Sequence, residues 1–176
     1  MSLSNGIAYL AIPGPSVMPE RVLRAMHRAA PNIYHGELPG MMPGLIGDLK
    51  KVARTTAHAA IYITNGHGAW EAAVSNVFSP GDKVLVPATG RFAHGWAEIA
   101  EGMGVVCEIM DFGKRGTMDF ARITERLSAD DGQIKAVMAV QTDTSTSVRN
   151  DFVALRGAID AAGHPALLMA DCMASL

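Results

Sequence analysis

The chain reads as an α/β fold, a mostly parallel sheet with helices on both faces. Two observations predict it. Short apolar runs alternate with helical stretches of roughly ten to fifteen residues, and parallel strands need crossovers of that kind. Several runs, Ala166–Ala170 among them, are uniformly apolar instead of alternating, as strands covered on both faces are. The composition agrees. A chain of 176 residues suits one domain, and 49% hydrophobic against 18% charged residues excludes a disordered chain.

The elements follow in order. Ala11-Ile12-Pro13-Gly14-Pro15 is a loop by its proline and glycine content. From Pro19, the apolar residues Val22, Leu23, Met26 and Ala30 recur at helical spacing, and Pro31 marks the stop. The stretch Ile33 to Gly44, with three glycines and two prolines, is expected to be irregular, and Leu45, Leu49, Val52 and Ala53 then form an amphipathic helix. Ala60 to Thr64 reads as a strand that ends in Asn65-Gly66-His67-Gly68. A helix follows from about Ala69 to Phe78, and Ser79-Pro80-Gly81-Asp82 turns the chain. Lys83–Val86, Val105–Met110, Ala136–Gln141 and Ala166–Ala170 read as strands. The helices between them are marked by Phe92 to Met103, by Phe120, Ile123 and Leu127, and by Phe152, Leu155 and Ile159 with Gly163 as C-cap.

A net charge of -2 carries no basic stripe, so nucleic acid and anionic membrane surfaces are not expected partners. No run approaches the roughly 18 apolar residues of a membrane helix. Met1-Ser2-Leu3-Ser4-Asn5 lacks the pattern of a signal peptide. Two distant cysteines, Cys107 and Cys172, suit a reducing, cytoplasmic compartment better than a disulfide framework.

In sheets of this class ligands gather outside the carboxyl ends of the strands. Three such ends carry distinctive chemistry. Asn65-Gly66-His67-Gly68 runs directly into a helix, where free amides and absent side chains suit a phosphate. It is neither the dinucleotide fingerprint, since Glu71 stands at the third glycine position, nor a P-loop. A ligand-free glycine turn has the same sequence, so the loop alone leaves both readings open. Gln141-Thr142-Asp143-Thr144-Ser145-Thr146-Ser147 offers seven consecutive hydrogen-bonding side chains, enough for a polar pocket or an ordinary loop. Asp171 closes an apolar run, where a carboxylate must meet a cation or donors, cap a helix, or face water. The six histidines show no HExxH spacing and there is no GxSxG elbow, which argues against a metal site and a serine hydrolase. Arg21, Arg24 and Arg28 read as a solvated helix face.

These pieces in this order resemble the first half of a class V pyridoxal-phosphate aminotransferase of the serine–glyoxylate and alanine–glyoxylate kind. The resemblance is carried by Pro13-Gly14-Pro15-Ser16-Val17-Met18-Pro19-Glu20-Arg21-Val22, Asn65-Gly66-His67-Gly68-Ala69-Trp70-Glu71-Ala72-Ala73 and Ser79-Pro80-Gly81-Asp82-Lys83-Val84-Leu85-Val86. Gly90-Arg91-Phe92, Asp143-Thr144-Ser145-Thr146-Ser147 and Leu167-Leu168-Met169-Ala170-Asp171-Cys172-Met173-Ala174-Ser175-Leu176 continue it.

The resemblance implies a cofactor, pyridoxal 5'-phosphate, and a role for each matching residue. Gly66 and His67 fall where a small-residue loop holds the phosphate, with Asn65 where serine is commoner. Phe92 falls where an aromatic ring stacks on the pyridine, Thr144 where a hydroxyl contacts the phenolic oxygen, and Asp171 where a carboxylate pairs with the pyridine nitrogen. The implied reaction moves an amino group from serine or alanine to glyoxylate or another 2-oxo acid. It also implies a homodimer, with Ile33–Gly44 at the interface or the wall of the site.

On this resemblance, residues 1–44 form an N-terminal arm and loop with one helix. Residues 45–176 form the first part of the large domain of fold-type I enzymes, ending before the Schiff-base lysine. All five lysines (Lys50, Lys51, Lys83, Lys114, Lys135) precede Asp171. The family's carboxylate-binding arginine and small C-terminal domain have no counterpart here either. The chain is therefore expected to act as part of a longer enzyme and to be inactive by itself. A class V lyase or desulfurase using the same cradle, or a non-catalytic phosphate- or nucleotide-binding module, are the alternatives. Cys107, on an expected strand, is a poor nucleophile for the desulfurase reading.

Overall fold

The apolar spacing after Pro19 produces a helix, α1 (Glu20–Met26), in the computed structural model, which describes Leu10, Ile12 and residues 14–176. Glu20 stands in its first turn and pairs with Arg24 one turn on, as the helix dipole favours. The helix ends at Met26, short of Pro31. Ala11 and Pro13 of the expected N-terminal loop, and the Met1–Asn5 segment, lie outside the described residues.

The stretch Ile33 to Gly44 is not irregular throughout: α2 (Glu37–Val52) covers all of it from Glu37 onward. Leu38, Met41, Met42, Leu45 and Leu49 continue one helical periodicity through the glycines. Pro39 falls in the first turn, where amides lack intrahelical acceptors anyway, so only Pro43 removes a helical bond. These elements belong to one compact unit, Met1–Ile61, and the remainder belongs to a second, Tyr62–Leu176.

The strand expected over Ala60–Thr64 does not form. Ile61, Tyr62 and Ile63 are exposed with no neighbouring strand among the described residues, and a lone strand leaves its backbone groups without ladder partners. The next helix, α3 (Gly66–Val77), starts earlier than its apolar pattern suggests, because Asn65 caps it by accepting from the Gly68 amide. Glycine is needed at 68, where a Cβ would lie 2.0 Å from Thr64 Oγ1.

From here structure and expectation run together. The elements are β1 (Lys83–Ala88), α4 (Arg91–Gly102), β2 (Val106–Asp111), α5 (Phe120–Ser128) and β3 (Ile134–Val140). A short antiparallel hairpin, β4 (Thr142–Asp143) with β5 (Val148–Arg149), comes next and was not expected from sequence. Then follow α6 (Phe152–Ala161) and β6 (Leu167–Asp171). Asp119 and Asp151 cap α5 and α6, and Gly163 takes the left-handed conformation after α6, with φ 61°.

The four long strands form one parallel sheet in the order β2-β1-β3-β6. Alternate residues of β1 and β3 feed two cores. Val84, Val86, Ala136 and Met138 pack under Trp70, Val74, Trp96 and Ala97 of α3 and α4. Leu85, Val137 and Ala139 pack against Ile123, Leu127, Leu155 and Ile159 of α5 and α6. Each fully buried aliphatic side chain of this kind contributes about 1.5–3 kcal/mol.

The strand order reverses between β1 and β3. β2 lies outward from β1 on one side, while β3 and β6 lie on the other. The crevice at the carboxyl ends of β1 and β3 is therefore where an open α/β sheet leaves room for a ligand. The opposite ends are closed by charge. Glu108 bonds Lys83 and Arg126, and buried Asp130 accepts from the Ile134 amide and from His164. Lys83 and Lys135 sit at these amino-terminal ends, away from Asp171.

Candidate cofactor site at the carboxyl ends of the sheet

Three strands end at the crevice, each followed by a segment that carries one sequence-predicted residue. Phe92 follows β1, Thr144 follows β3, and Asp171 closes β6. The start of α3 brings Asn65, Gly66 and His67.

Asp171 does not face open water. Its Oδ2 accepts from Trp70 Nε1 at 3.1 Å and its Oδ1 from the Met173 amide at 2.8 Å. Two donors from different elements therefore fix a half-buried carboxylate while leaving lone pairs for a cation. Trp70 is itself clamped. It stacks on Trp96 at 5.7 Å between centroids and meets the edges of His67 at 4.8 Å and Phe92 at 6.3 Å. Trp96 Nε1 is buried without an acceptor among the described residues.

At the α3 terminus, Asn65 takes the Gly68 amide and its carbonyl the Ala69 amide. No acceptor among the described residues takes the amides of Gly66 and His67. Those two donors, at the positive end of a helix dipole, are free for an anion.

Trp70 stands between two clefts. One, about 560 Å³, is lined by Gly66, Trp70, Trp96, Asp171 and Met173. The other, about 500 Å³, is lined by His67, Trp70, Arg91, Phe92, His94 and Lys114. Gly66 and Asp171 thus share a cleft, and His67 and Phe92 share the adjoining one, their rings 6.5 Å apart. Thr144 is exposed and lines neither cleft. Its neighbours in the polar run are occupied structurally: Asp143 and Ser145 bond the start of α4, and Thr146 Oγ1 donates to the Thr89 carbonyl.

Sequence reasoning missed Trp70 as the partner of Asp171 and Asp143 as the anchor of α4. Trp70 lies one turn into the helix after the glycine loop, a placement that could have flagged it. Nothing in the spacing distinguishes Asp143 from its six polar neighbours. The two cysteines are free; Cys107 is half-buried, and burial, helped by Glu101, pushes its thiol up to about 11, where it is a poor nucleophile. Among the described residues no helix is long and apolar enough to cross a membrane.

No protein-family model matches the chain. It is 39% identical over 175 residues to serine–glyoxylate aminotransferase of Methylorubrum extorquens, a match spanning 97% of this chain and 43% of that protein. It is 38% identical over 170 residues to L-aspartate–glyoxylate aminotransferase of Paracoccus denitrificans, spanning 94% of this chain and 42% of the relative. Among solved structures, the subgroup IV aspartate aminotransferase of Thermus thermophilus superposes with a TM-score of 0.81 at 29% identity, over 93% of this chain and 45% of that one. The chain spans less than half the length of each of these relatives. Over nearly its whole length, this chain is similar to part of the serine–glyoxylate and L-aspartate–glyoxylate aminotransferases.

Proposed function

We propose that the protein containing this chain is a pyridoxal-phosphate-dependent aminotransferase that passes the amino group of serine or alanine to glyoxylate or another 2-oxo acid. The observation that carries the proposal is the cleft shared by Gly66 and Asp171, with Trp70 holding the carboxylate. The donor set suits the cofactor's two ends. Free amides of Gly66 and His67 at a helix start match a phosphate, and an oriented carboxylate at the neighbouring strand end matches a protonated ring nitrogen.

When bound, pyridoxal phosphate supplies an electron sink for the negative charge that develops at the amino acid's Cα. This chain's residues have separate tasks. Asp171 stabilises a proton on the ring nitrogen, because an adjacent negative charge raises that nitrogen's pKa. Trp70 Nε1 and the Met173 amide keep the carboxylate aimed. Gly66 and His67 hold the phosphate, with Asn65 ordering their turn. The stacking role of Phe92, which lines the adjoining cleft, and the hydroxyl role of Thr144, which lines neither, rest on the family resemblance alone.

The serine–glyoxylate and L-aspartate–glyoxylate aminotransferases named above support the substrate class. Exposed apolar residues of α2, Met41, Met42, Leu45 and Leu49, support a homodimer. The free cysteines support a reducing, cytoplasmic setting.

The test is uptake of pyridoxal phosphate by the purified full-length protein, followed as a visible absorption band, and serine-dependent consumption of glyoxylate. A colourless protein that binds ATP instead would overturn the proposal in favour of a nucleotide-binding module. The 176-residue chain by itself is expected to show no transamination.

A further inference from the structure

We infer that Asp143 is a positioning residue of this site, whose enclosed carboxylate locks the Phe92 platform to the Thr144 loop. The inference rests on the pyridoxal-phosphate reading and extends it to a side chain that reaches neither cleft. Asp143 is 0% exposed, and no lysine, arginine or histidine pairs with it among the described residues. An enclosed carboxylate is costly unless its oxygens are satisfied. Here four donors satisfy it. Oδ2 accepts from the amides of Phe92 at 2.9 Å and Ala93 at 3.3 Å, and Oδ1 from the amide and hydroxyl of Ser145 at 3.0 and 2.6 Å. The Ser145 oxygen also accepts from the Arg91 amide at 2.9 Å. The first three amides of α4 are thus held by the loop that follows β3, across the point where the strand order reverses.

Gly90 supplies an independent sign that this placement is built into the backbone. A Cβ there would lie 2.3 Å from Asp143 Cγ, so the two strand ends close on the carboxylate with no room for a side chain. Phe92 donates to Asp143, and Thr144 is the next residue along the chain. The ring face and the hydroxyl therefore shift together or not at all. A cap serving the helix alone could come from the residue before it, as Asp119 and Asp151 do for α5 and α6. At α4 the cap comes from a residue about fifty positions away, which is what ties the segment carrying Phe92 to the loop after β3.

The experiment compares Asp143→Asn with wild type in the full-length protein, using two readouts. Amide hydrogen exchange without cofactor reports the tether. Visible circular dichroism and affinity of added pyridoxal phosphate report the position of the ring. Asn keeps the shape but turns a donor toward an amide. Exchange at residues 91–93 is expected to rise about tenfold, with α5 and α6 unchanged, and cofactor affinity to fall about tenfold with an altered dichroic band. Faster exchange with an unchanged band and affinity would overturn the inference, leaving a plain helix cap. Unchanged exchange would overturn it at the root. If wild type takes up no pyridoxal phosphate, the functional reading fails and positioning of the cofactor fails with it; the exchange result still decides the tether. Should Asp143→Asn not fold, Ser145→Ala removes the bridge to Arg91 and makes the same comparison.

Discussion

Replacing Gly90 by alanine is the sharpest probe of the strand-end architecture. The backbone at Gly90 is extended (φ 175°, ψ -173°), so alanine meets no torsional objection there. The cost is steric. The new Cβ would sit 2.3, 2.5 and 2.7 Å from Cγ, Oδ1 and Oδ2 of Asp143, all well inside the 3.4 Å at which ordinary contact begins. Asp143 is enclosed and cannot retreat without releasing Phe92 and Ala93. Overpacking costs about 1–3 kcal/mol and loss of a helix cap about 1–2 kcal/mol, so a destabilisation of about 3 kcal/mol is expected. That corresponds to a fall in Tm of roughly 10 °C for a domain of this size.

Urea and thermal unfolding measure it. Gly95→Ala is the control on the same helix. Its Cβ would meet only Trp70 Cζ3 at 3.8 Å, and it should be neutral or stabilise by up to about 1 kcal/mol. In an Asp143→Ala background the cost of Gly90→Ala should shrink by about 2 kcal/mol, because the colliding atoms are gone. Full additivity of the two substitutions, or a Gly90→Ala protein as stable as wild type, would refute the reasoning.

Three further outcomes are expected. Trp70→Phe keeps a ring against Trp96 but removes the Nε1 donor to Asp171; affinity for pyridoxal phosphate should fall about fivefold, read by equilibrium titration. Asn150, 1% exposed, donates to Thr89 Oγ1 and the Val140 carbonyl and accepts from the Met118 amide. Asn150→Ala should therefore cost about 2–3 kcal/mol, seen as a lower urea midpoint. Burial alone would raise the Asp130 carboxyl, but the Ile134 amide, His164 and Arg126 outweigh it and bring it to about 2. A carboxyl lowered by folding adds stability above its unfolded value near 3.8 and loses it as pH falls toward 2. Stability should drop by about 1 kcal/mol across that window once solvent screening is allowed for, and Asp130→Asn should flatten that part of the profile.

The legible part of this protein was what local pattern decides. Uniform apolar runs such as Ala136–Val140 announced strands covered on both faces, and the parallel sheet follows because the segments between them are long enough to be crossovers. Asn65 before a glycine loop announced a helix start with free amides. Where reading by composition failed, a longer-range balance was at work. Glycines and prolines between Gly36 and Gly44 suggested irregular chain, yet Pro39 costs little in a first turn and the apolar periodicity continues through it. Ala60–Thr64 has the residues of a strand, but a strand is a relation to a neighbour, and none among the described residues pairs with it.

The sequence by itself determined the fold class and the long strands and helices from β1 onward, in their order, because these depend on patterns of apolar residues within each segment. Tertiary structure alone decided that Trp70 aims Asp171, that Trp70 parts the two clefts, and that Asp143 is enclosed while Thr144 stands exposed beside it. Those facts depend on which strand ends come together at the reversal between β1 and β3. Burial and hydrogen-bond satisfaction there are set by atoms some fifty to a hundred residues away.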